Sequence, residues 1–347
     1  MKILFHISSL YGGGAERVMS YLINHHIENG DDVTVVVCYE HENEYSILDG
    51  VTKIVIGRSN LLSQSKKLRK IIKEIRPDLC VSFMQGGNFR MVLANLFSRQ
   101  KYVLSIRNDP KKEYNNFFSR VFAKIMFKKA NGIVFQTPDA MSYFSKKIQK
   151  KSTVIFNPVS SNFFVEERSN NVSDIVSLGR LTKQKNFELL IDAYNIVKDK
   201  IKDNLCIYGD GVLMNSLQIR INNYHLENRI ILKGRTNDSR EILKNAKCFI
   251  MSSDFEGMPN ALLEAVCMLV PSISTDCPCG GSKIILDGNG LLVPVNDANA
   301  LGTAIVSLVN DEVLLKEISD NCKIKRDKFE TTTILKEWND FFIKVIS

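Results

Sequence analysis

The sequence predicts an α/β protein of two doubly wound, Rossmann-like domains facing a central cleft, and three observations carry that prediction. Short β-rich runs alternate with helical stretches along almost the whole chain. Those runs are continuously apolar rather than alternating, the mark of strands covered on both faces in a parallel sheet. The length of 347 residues suits two domains, and a polar, Asn- and Ser-rich stretch at 160–173 falls near the middle as a linker.

The first half places strands at 3–7, 33–38, 53–56, 79–83, 102–106, 133–135 and 153–156, with helices at 15–28, 65–75, 89–97, 115–129 and 139–147. The second half places strands at 175–178, 205–208, 230–232, 248–251 and 272–274, with helices at 187–198, 213–223, 241–246, 261–269 and 298–308. The closing stretch 314–346 reads as two helices divided near 328–331. The domains are therefore 1–160 and 161–330, followed by a C-terminal helical segment, 331–347.

The composition, 44% hydrophobic and 24% charged, excludes a disordered chain, a collagen-like repeat and a small disulfide scaffold. No apolar run reaches the ~18 residues that span a bilayer, and the apolar start, 1–7, is broken by Ser8-Ser9 and Gly12-Gly13-Gly14. It reads as a first buried strand of a cytoplasmic protein rather than a signal. Eight cysteines include no C-x-x-C pair; Cys277-Pro278-Cys279 is the only tight spacing, with no His beside it, so reduced thiols and no metal site are expected. The net charge of +8 is uneven: residues 1–165 hold 24 Lys and Arg against 13 Asp and Glu, a balance of +11, whereas 166–347 hold 22 against 25. A basic first half calls for an anionic partner.

Three segments carry chemistry. The first strand runs into Gly12-Gly13-Gly14-Ala15-Glu16-Arg17, where glycines let backbone N–H groups approach an anion at a helix start. A tight turn without a ligand fits the same residues, and the spacing is not the dinucleotide fingerprint. The second half opens with Gly179-Arg180, and Lys185 follows on the same loop; Arg and Lys at the carboxyl end of a parallel strand suit phosphate, or form a solvated basic loop. The third segment is Ser252-Ser253-Asp254-Phe255-Glu256-Gly257-Met258-Pro259-Asn260, leading into an apolar helix that carries Glu264. Two carboxylates on one βα unit suit vicinal sugar hydroxyls, and an unpaired carboxylate on an apolar helix costs several kcal/mol.

In this order the residues resemble the retaining glycosyltransferases of family 4, of the bacterial surface-polysaccharide type, which have the two-domain GT-B fold. The resemblance rests on Glu256-x7-Glu264, on Gly179-Arg180-x4-Lys185, on Tyr208-Gly209-Asp210-Gly211 and Lys233-Gly234, and on Asn289-Gly290-Leu291-Leu292-Val293. The loop 12–16 and Asn157-Pro158-Val159 match as well, so it covers nearly the whole chain. It implies that Arg180 and Lys185 hold the diphosphate of a nucleotide sugar, UDP-linked by default. Glu256 meets the hexose hydroxyls, aided by backbone at Gly257, Met258, Pro259 and Asn260. Glu264 binds the ribose, Gly209 belongs to the donor site, and Lys233-Gly234-Arg235 lies near the base. Gly13 and Gly14 line the reaction centre from the other domain, and the closing helix crosses back to the first domain. One departure stands out: many members carry a His where this chain has Arg107-Asn108. Arg107 is no base; it suits an acceptor phosphate or the departing one.

The resemblance implies retention by same-face attack, with the leaving phosphate helping to deprotonate the acceptor hydroxyl. No Asp-x-Asp element stands where a nucleotide-sugar metal is expected, so neither metal nor cofactor is called for. The acceptor is a glycan or polyprenyl-diphosphate-linked sugar. The segment 111–129 combines Phe117, Phe118, Phe122 and Phe127 with Lys111, Lys112, Arg120, Lys124, Lys128 and Lys129. A second basic helix holds Lys66, Lys67, Arg69, Lys70 and Lys73. Both suit an anionic membrane surface, placing the protein at the inner face of the plasma membrane; an amphipathic helix packed on its own sheet explains the apolar face equally well. The rival readings are a nucleotide-sugar epimerase, a sugar phosphorylase, a nicotinamide dehydrogenase and a non-catalytic anion-binding protein. Nucleic acid is not an expected partner, since no recognition motif accompanies the charge.

Overall fold

Each half of the chain winds around its own parallel sheet. The computed structural model describes residues 1–169, 172–236 and 238–347, and these divide into two units, Met1–Pro158 with Thr332–Ser347, and Val159–Thr331.

In the first unit, strands β1 (Lys2–Ile7), β2 (Asp32–Val37), β3 (Thr52–Val55), β4 (Leu79–Phe83), β5 (Tyr102–Ile106), β6 (Gly132–Phe135) and β7 (Ser152–Val154) lie in the order β3-β2-β1-β4-β5-β6-β7. All pairings are parallel, with Ile3 opposite Val33 on one side and Leu79 on the other. Ile3, Leu4 and Phe5 are successive and fully buried, which is why β1 reads as an unbroken apolar run. The strand order reverses between β1 and β4, so the loops at the carboxyl ends of these two strands diverge and leave room for a ligand.

The second unit repeats the plan with β8 (Asp174–Leu178), β9 (Leu205–Tyr208), β10 (Ile230–Gly234), β11 (Ala246–Met251), β12 (Ser272–Thr275) and β13 (Leu291–Val293), in the order β10-β9-β8-β11-β12-β13. Its reversal lies between β8 and β11. Strand β13 and the short helix Gly281–Ile285 are not foreseen from the sequence, being too short for a periodic pattern to show.

The last helix, Thr331–Ile346, packs on the first unit's sheet. Its Ile334, Leu335, Trp338, Phe341 and Phe342 recur at helical spacing and are buried with Phe5, Val81 and Phe83. Trp338 stacks on Phe83 at 5.5 Å between ring centroids. Gly132 on β6 accommodates the Phe341 ring, whose nearest carbon would lie 2.7 Å from a β-carbon there.

Three sequence expectations are revised. The 160–173 stretch is no loose linker, apart from 170–171, which lie outside the described residues. It is fastened to the second unit: Arg168 donates to the carbonyls of Ala246 and Lys247, and Arg326 donates to the Val165 carbonyl at 2.6 Å. The helix expected at 89–97 starts earlier, as Met84–Ala94 directly after β4. Its Gly86-Gly87 pair reads as a turn but lets the helix approach β1, where a β-carbon on Gly87 would stand 3.5 Å from the His6 carbonyl. The helix expected at 139–147 is two short pieces, Pro138–Ser142 and Lys146–Gln149; between them Phe144 is buried against Tyr114, Phe127 and Phe135.

In the helix Phe117–Met126, Ser119 and Ala123 face inward and the Phe122 ring packs tilted against Phe89, 4.5 Å between centroids. Phe117, Phe118 and Ile125 are 72, 84 and 54% exposed, so much of the apolar face is left uncovered by the described residues. No single helix among the described residues is long and apolar enough to cross a membrane.

Candidate functional site

The carboxyl ends of β8 and β11, on either side of the second unit's strand-order reversal, bring Lys185 and Glu256 together. After β8 the chain turns through Gly179 and Arg180 into the short helix Lys183–Lys185. After β11 it runs through Ser252–Pro259 into the helix Asn260–Cys267. The two loops are stitched by the Asp254 N–H donating to the Gln184 carbonyl at 2.9 Å, Gln184 Nε2 to the Phe255 carbonyl at 2.9 Å, and Asn186 Nδ2 to Asp254 Oδ1 at 2.7 Å. Asn186 holds a left-handed conformation and caps the next helix through Leu189 N–H.

Within that frame Lys185 Nζ meets Glu256 Oε1 at 2.7 Å, and Ser253 Oγ donates to the same oxygen at 3.0 Å. Thr275 Oγ1 fixes the Ser253 carbonyl from β12 at 2.6 Å. Both charged side chains are largely buried, 18 and 11% exposed, so the charge-assisted bond holds each in one orientation. Arg180 is exposed, and its side chain makes no hydrogen bond or ion pair among the described residues. Lys233, near the end of β10, is also exposed, and its side chain makes none either; among the described residues neither is hydrogen-bonded or ion-paired to Lys185 or Glu256. Glu264 is buried inside the helix Asn260–Cys267 and accepts from Ser239 Oγ at 3.0 Å, which answers how a carboxylate sits on an apolar helix.

Glycines set the backbone. A β-carbon on Gly209 would lie 1.8 Å from the Gly179 carbonyl oxygen, and one on Gly281 would lie 1.9 Å from that of Gly257. Only glycine lets these loops approach so closely. Gly257, Met258 and Pro259 are buried, and no side chain caps the start of the helix Asn260–Cys267. Its N-terminal dipole faces the same end of the sheet as Lys185. The sequence assigns no role to Gln184, Ser239 or Gly281, and places Ser253 in the Ser252–Asn260 segment without a role of its own. The Gly280-Gly281 pair is a legible signal of close backbone approach; nothing in the sequence marks Ser239.

In the first unit, Gly13 precedes the helix Gly14–Glu28, which has no side-chain cap. The Glu16 carboxylate folds back over Gly13, where a β-carbon would meet it at 2.0 Å. Arg107 is the first residue after β5, buried, with its guanidinium 5.0 Å above the Phe83 ring and Nη2 donating to Asn157 Oδ1.

Two family models match consecutive parts of the chain: Glycosyltransferase Family 4 at residues 12–163, and Glycosyl transferases group 1 at residues 159–325. Among curated relatives, an uncharacterized glycosyltransferase of Methanocaldococcus jannaschii is 28% identical over 335 residues, 80% of this chain and 82% of its own length. The N-acetylgalactosamine-N,N'-diacetylbacillosaminyl-diphospho-undecaprenol 4-alpha-N-acetylgalactosaminyltransferase of Campylobacter jejuni is 25% identical over 363 residues, 97% of this chain and 98% of its own. Among solved structures, Anabaena HepE in complex with UDP superposes with a TM-score of 0.85 at 18% identity, over 99% of this chain and all of that one. Two parallel-sheet units with consecutive family 4 and group 1 matches make the chain a member of the GT-B glycosyltransferases, and the reaction class is transfer of a glycosyl group.

Proposed function

We propose that this glycosyltransferase moves a hexose or N-acetylhexosamine, with retention, from a UDP-linked donor to a polyprenyl-diphosphate-linked or glycan acceptor in cell-surface polysaccharide synthesis. The observation that carries the donor side is the Lys185–Glu256–Ser253 cluster at the β8/β11 reversal, beside an uncapped helix start. Lys185 and Arg180 supply positive charge where the leaving diphosphate gains negative charge, Glu256 accepts hydrogen bonds from the hexose, and Glu264 accepts from the ribose. Met258 and Asn260 frame the sugar, and Gly209 and Lys233 border the nucleotide. In the first unit, Gly13 and Gly14 offer backbone N–H groups at the start of the helix Gly14–Glu28. With cations and helix dipoles meeting the phosphates, the reaction needs no metal and no cofactor. The UDP in the HepE complex supports the nucleotide, and the lipid diphosphate in the Campylobacter relative's name supports the acceptor.

The protein works on the cytoplasmic side, held peripherally at the membrane's inner face. The support is the outward Phe117, Phe118 and Ile125 stripe and the lysines around it. Lys151 Nζ donates to the Lys128 carbonyl at 2.7 Å, joining the lysines of the Lys146–Gln149 helix to that basic face.

The test is a panel of UDP-sugars against lipid-linked acceptors, read by mass spectrometry, with product anomers assigned by NMR. Transfer in EDTA with an α-linked product from an α-linked donor is the expected outcome, and Glu256→Gln lowers turnover at least 100-fold. Loss of activity in EDTA that Mn²⁺ or Mg²⁺ restores, or an inverted product, overturns the corresponding part of the proposal.

A further inference from the structure

We infer that Arg107 anchors an acceptor-side anion site in the first unit, taking a phosphoryl group of the diphosphate that links the acceptor sugar to its lipid. The inference rests on the transfer reading above and names where that acceptor is gripped. Arg107 is 7% exposed. One nitrogen, Nη2, reaches Asn157 Oδ1; Nε and Nη1 are buried without any acceptor. The Asn157 oxygen is shared with Gln136 Nε2 at 2.6 Å, and Gln136 Oε1 is itself without a partner. Arg107 follows β5 and Gln136 follows β6, so both project from the carboxyl edge of the sheet, where ligands bind in open α/β folds.

A buried guanidinium with donors left open is expensive, since each unmade bond of a buried polar group carries an unrecovered desolvation cost, larger when the group is charged. Folding alone gives no reason to keep it. Charge balance sharpens the point. Burial lowers the Arg107 pKa to about 9, and the Glu16 carboxylate is the one acid whose charge acts on it, so the cation persists at neutral pH. Under the same edge lies a second buried arginine, Arg90. Its donors go to neutral partners: Nε to His6 Nε2 at 2.9 Å, Nη1 to Gln64 Oε1 at 3.2 Å and Nη2 to Ser8 Oγ at 2.8 Å. His6 is held neutral, its pKa lowered to about 3 by burial and by the Arg90 charge. Two buried cations with no ion pair to a carboxylate among the described residues call for an oxyanion from outside. Planar, weakly hydrated guanidinium suits phosphoryl oxygens better than ammonium does.

The test needs no turnover. In saturating UDP, which fills the donor site, the full-length protein is titrated with geranyl diphosphate and with geraniol by calorimetry. The expected result is at least tenfold tighter binding of the diphosphate, a preference that Arg107→Gln abolishes while UDP affinity stays within twofold of wild type. Arg107→Gln also keeps or raises the thermal midpoint without ligand, because it removes an uncompensated buried charge. Should that variant not fold, Arg107→Lys, which keeps the charge without the planar donors, is expected to weaken the diphosphate at least tenfold. A preference that survives in these variants, or a loss of UDP affinity of the same size, overturns the inference; the latter assigns Arg107 to the leaving diphosphate. Wild-type protein that binds the lipid diphosphate yet transfers no sugar leaves this site standing and sinks the transfer reading instead.

Discussion

Lys185 and Arg180, five positions apart on one loop, are set for different fates on mutation. The Arg180 side chain is exposed and without a hydrogen bond or ion pair among the described residues, whereas Lys185 is the counter-charge of a buried Glu256. Arg180→Ala is expected to lower kcat/KM by roughly 10- to 100-fold, the worth of one charge-assisted phosphate contact, with an unchanged thermal midpoint. Lys185→Ala is expected to lower both activity and midpoint, since it strands a buried carboxylate. Steady-state kinetics beside calorimetric melting separates the two; equal melting losses would contradict the assignment. A second residue titrates in an unusual range. Burial, reinforced by the Asp109 charge and opposed by the Gln85 backbone N–H, pushes the Glu113 carboxyl up to about 8. An acid whose folded pKa is raised contributes stability that is complete below its unfolded value and is lost as pH rises through the folded one. The wild type is therefore expected to lose more melting temperature between pH 6 and 9 than Glu113→Gln does. Parallel curves would refute that. These single-residue environments were only partly legible beforehand. Glu256 and Lys185 stood out by spacing and chemistry, but their direct pairing, and the serine and threonine that fix it, depend on three loops converging from distant parts of the chain.

At the scale of elements, strand positions read well because a doubly covered strand leaves an unbroken apolar run, as β4 and β5 do. Elements that tertiary contact creates read poorly. The Met84–Ala94 helix begins with residues that favour turns and is drawn inward by glycine contact with β1, and β13 is defined by its pairing with β12. The Thr331–Ile346 helix is the reverse case: its apolar periodicity was plain in the sequence, while its place in the first unit came only from family likeness. Trp338 is its anchor, fully buried between Phe83 and Phe342. Trp338→Ala is expected to cost ~3–5 kcal/mol through lost burial and the remaining cavity, measured by denaturant unfolding. A cost below ~1 kcal/mol would mean the helix contributes little to the first unit.

Across the whole molecule, charge separates the halves: residues 1–165 carry a balance of +11 in a chain of net +8. Each basic residue close to an anionic leaflet is worth ~1 kcal/mol, fading over a Debye length of ~8 Å at physiological salt. Flotation with anionic liposomes is therefore expected to exceed that with neutral ones and to fall as salt rises. Replacing Lys124, Lys128 and Lys129 with Glu is expected to release the protein while leaving UDP binding intact. Equal flotation with neutral vesicles at low salt would reduce the basic face to a solvated surface.

The path of the chain has a consequence for how the protein comes into being. The first unit is closed by Thr332–Ser347, after the entire second unit has been laid down. During synthesis the β1–β7 sheet is thus exposed on the face that Trp338, Phe341 and Phe342 later cover, for the time it takes to make some 170 further residues, on the order of ten seconds or more at ribosomal rates. Until that helix arrives, the nascent first unit shows an apolar patch over Phe5, Val81 and Phe83. That helix ends the exposure, so synthesis interrupted just before it leaves an incomplete first unit beside a second unit whose residues have all been made.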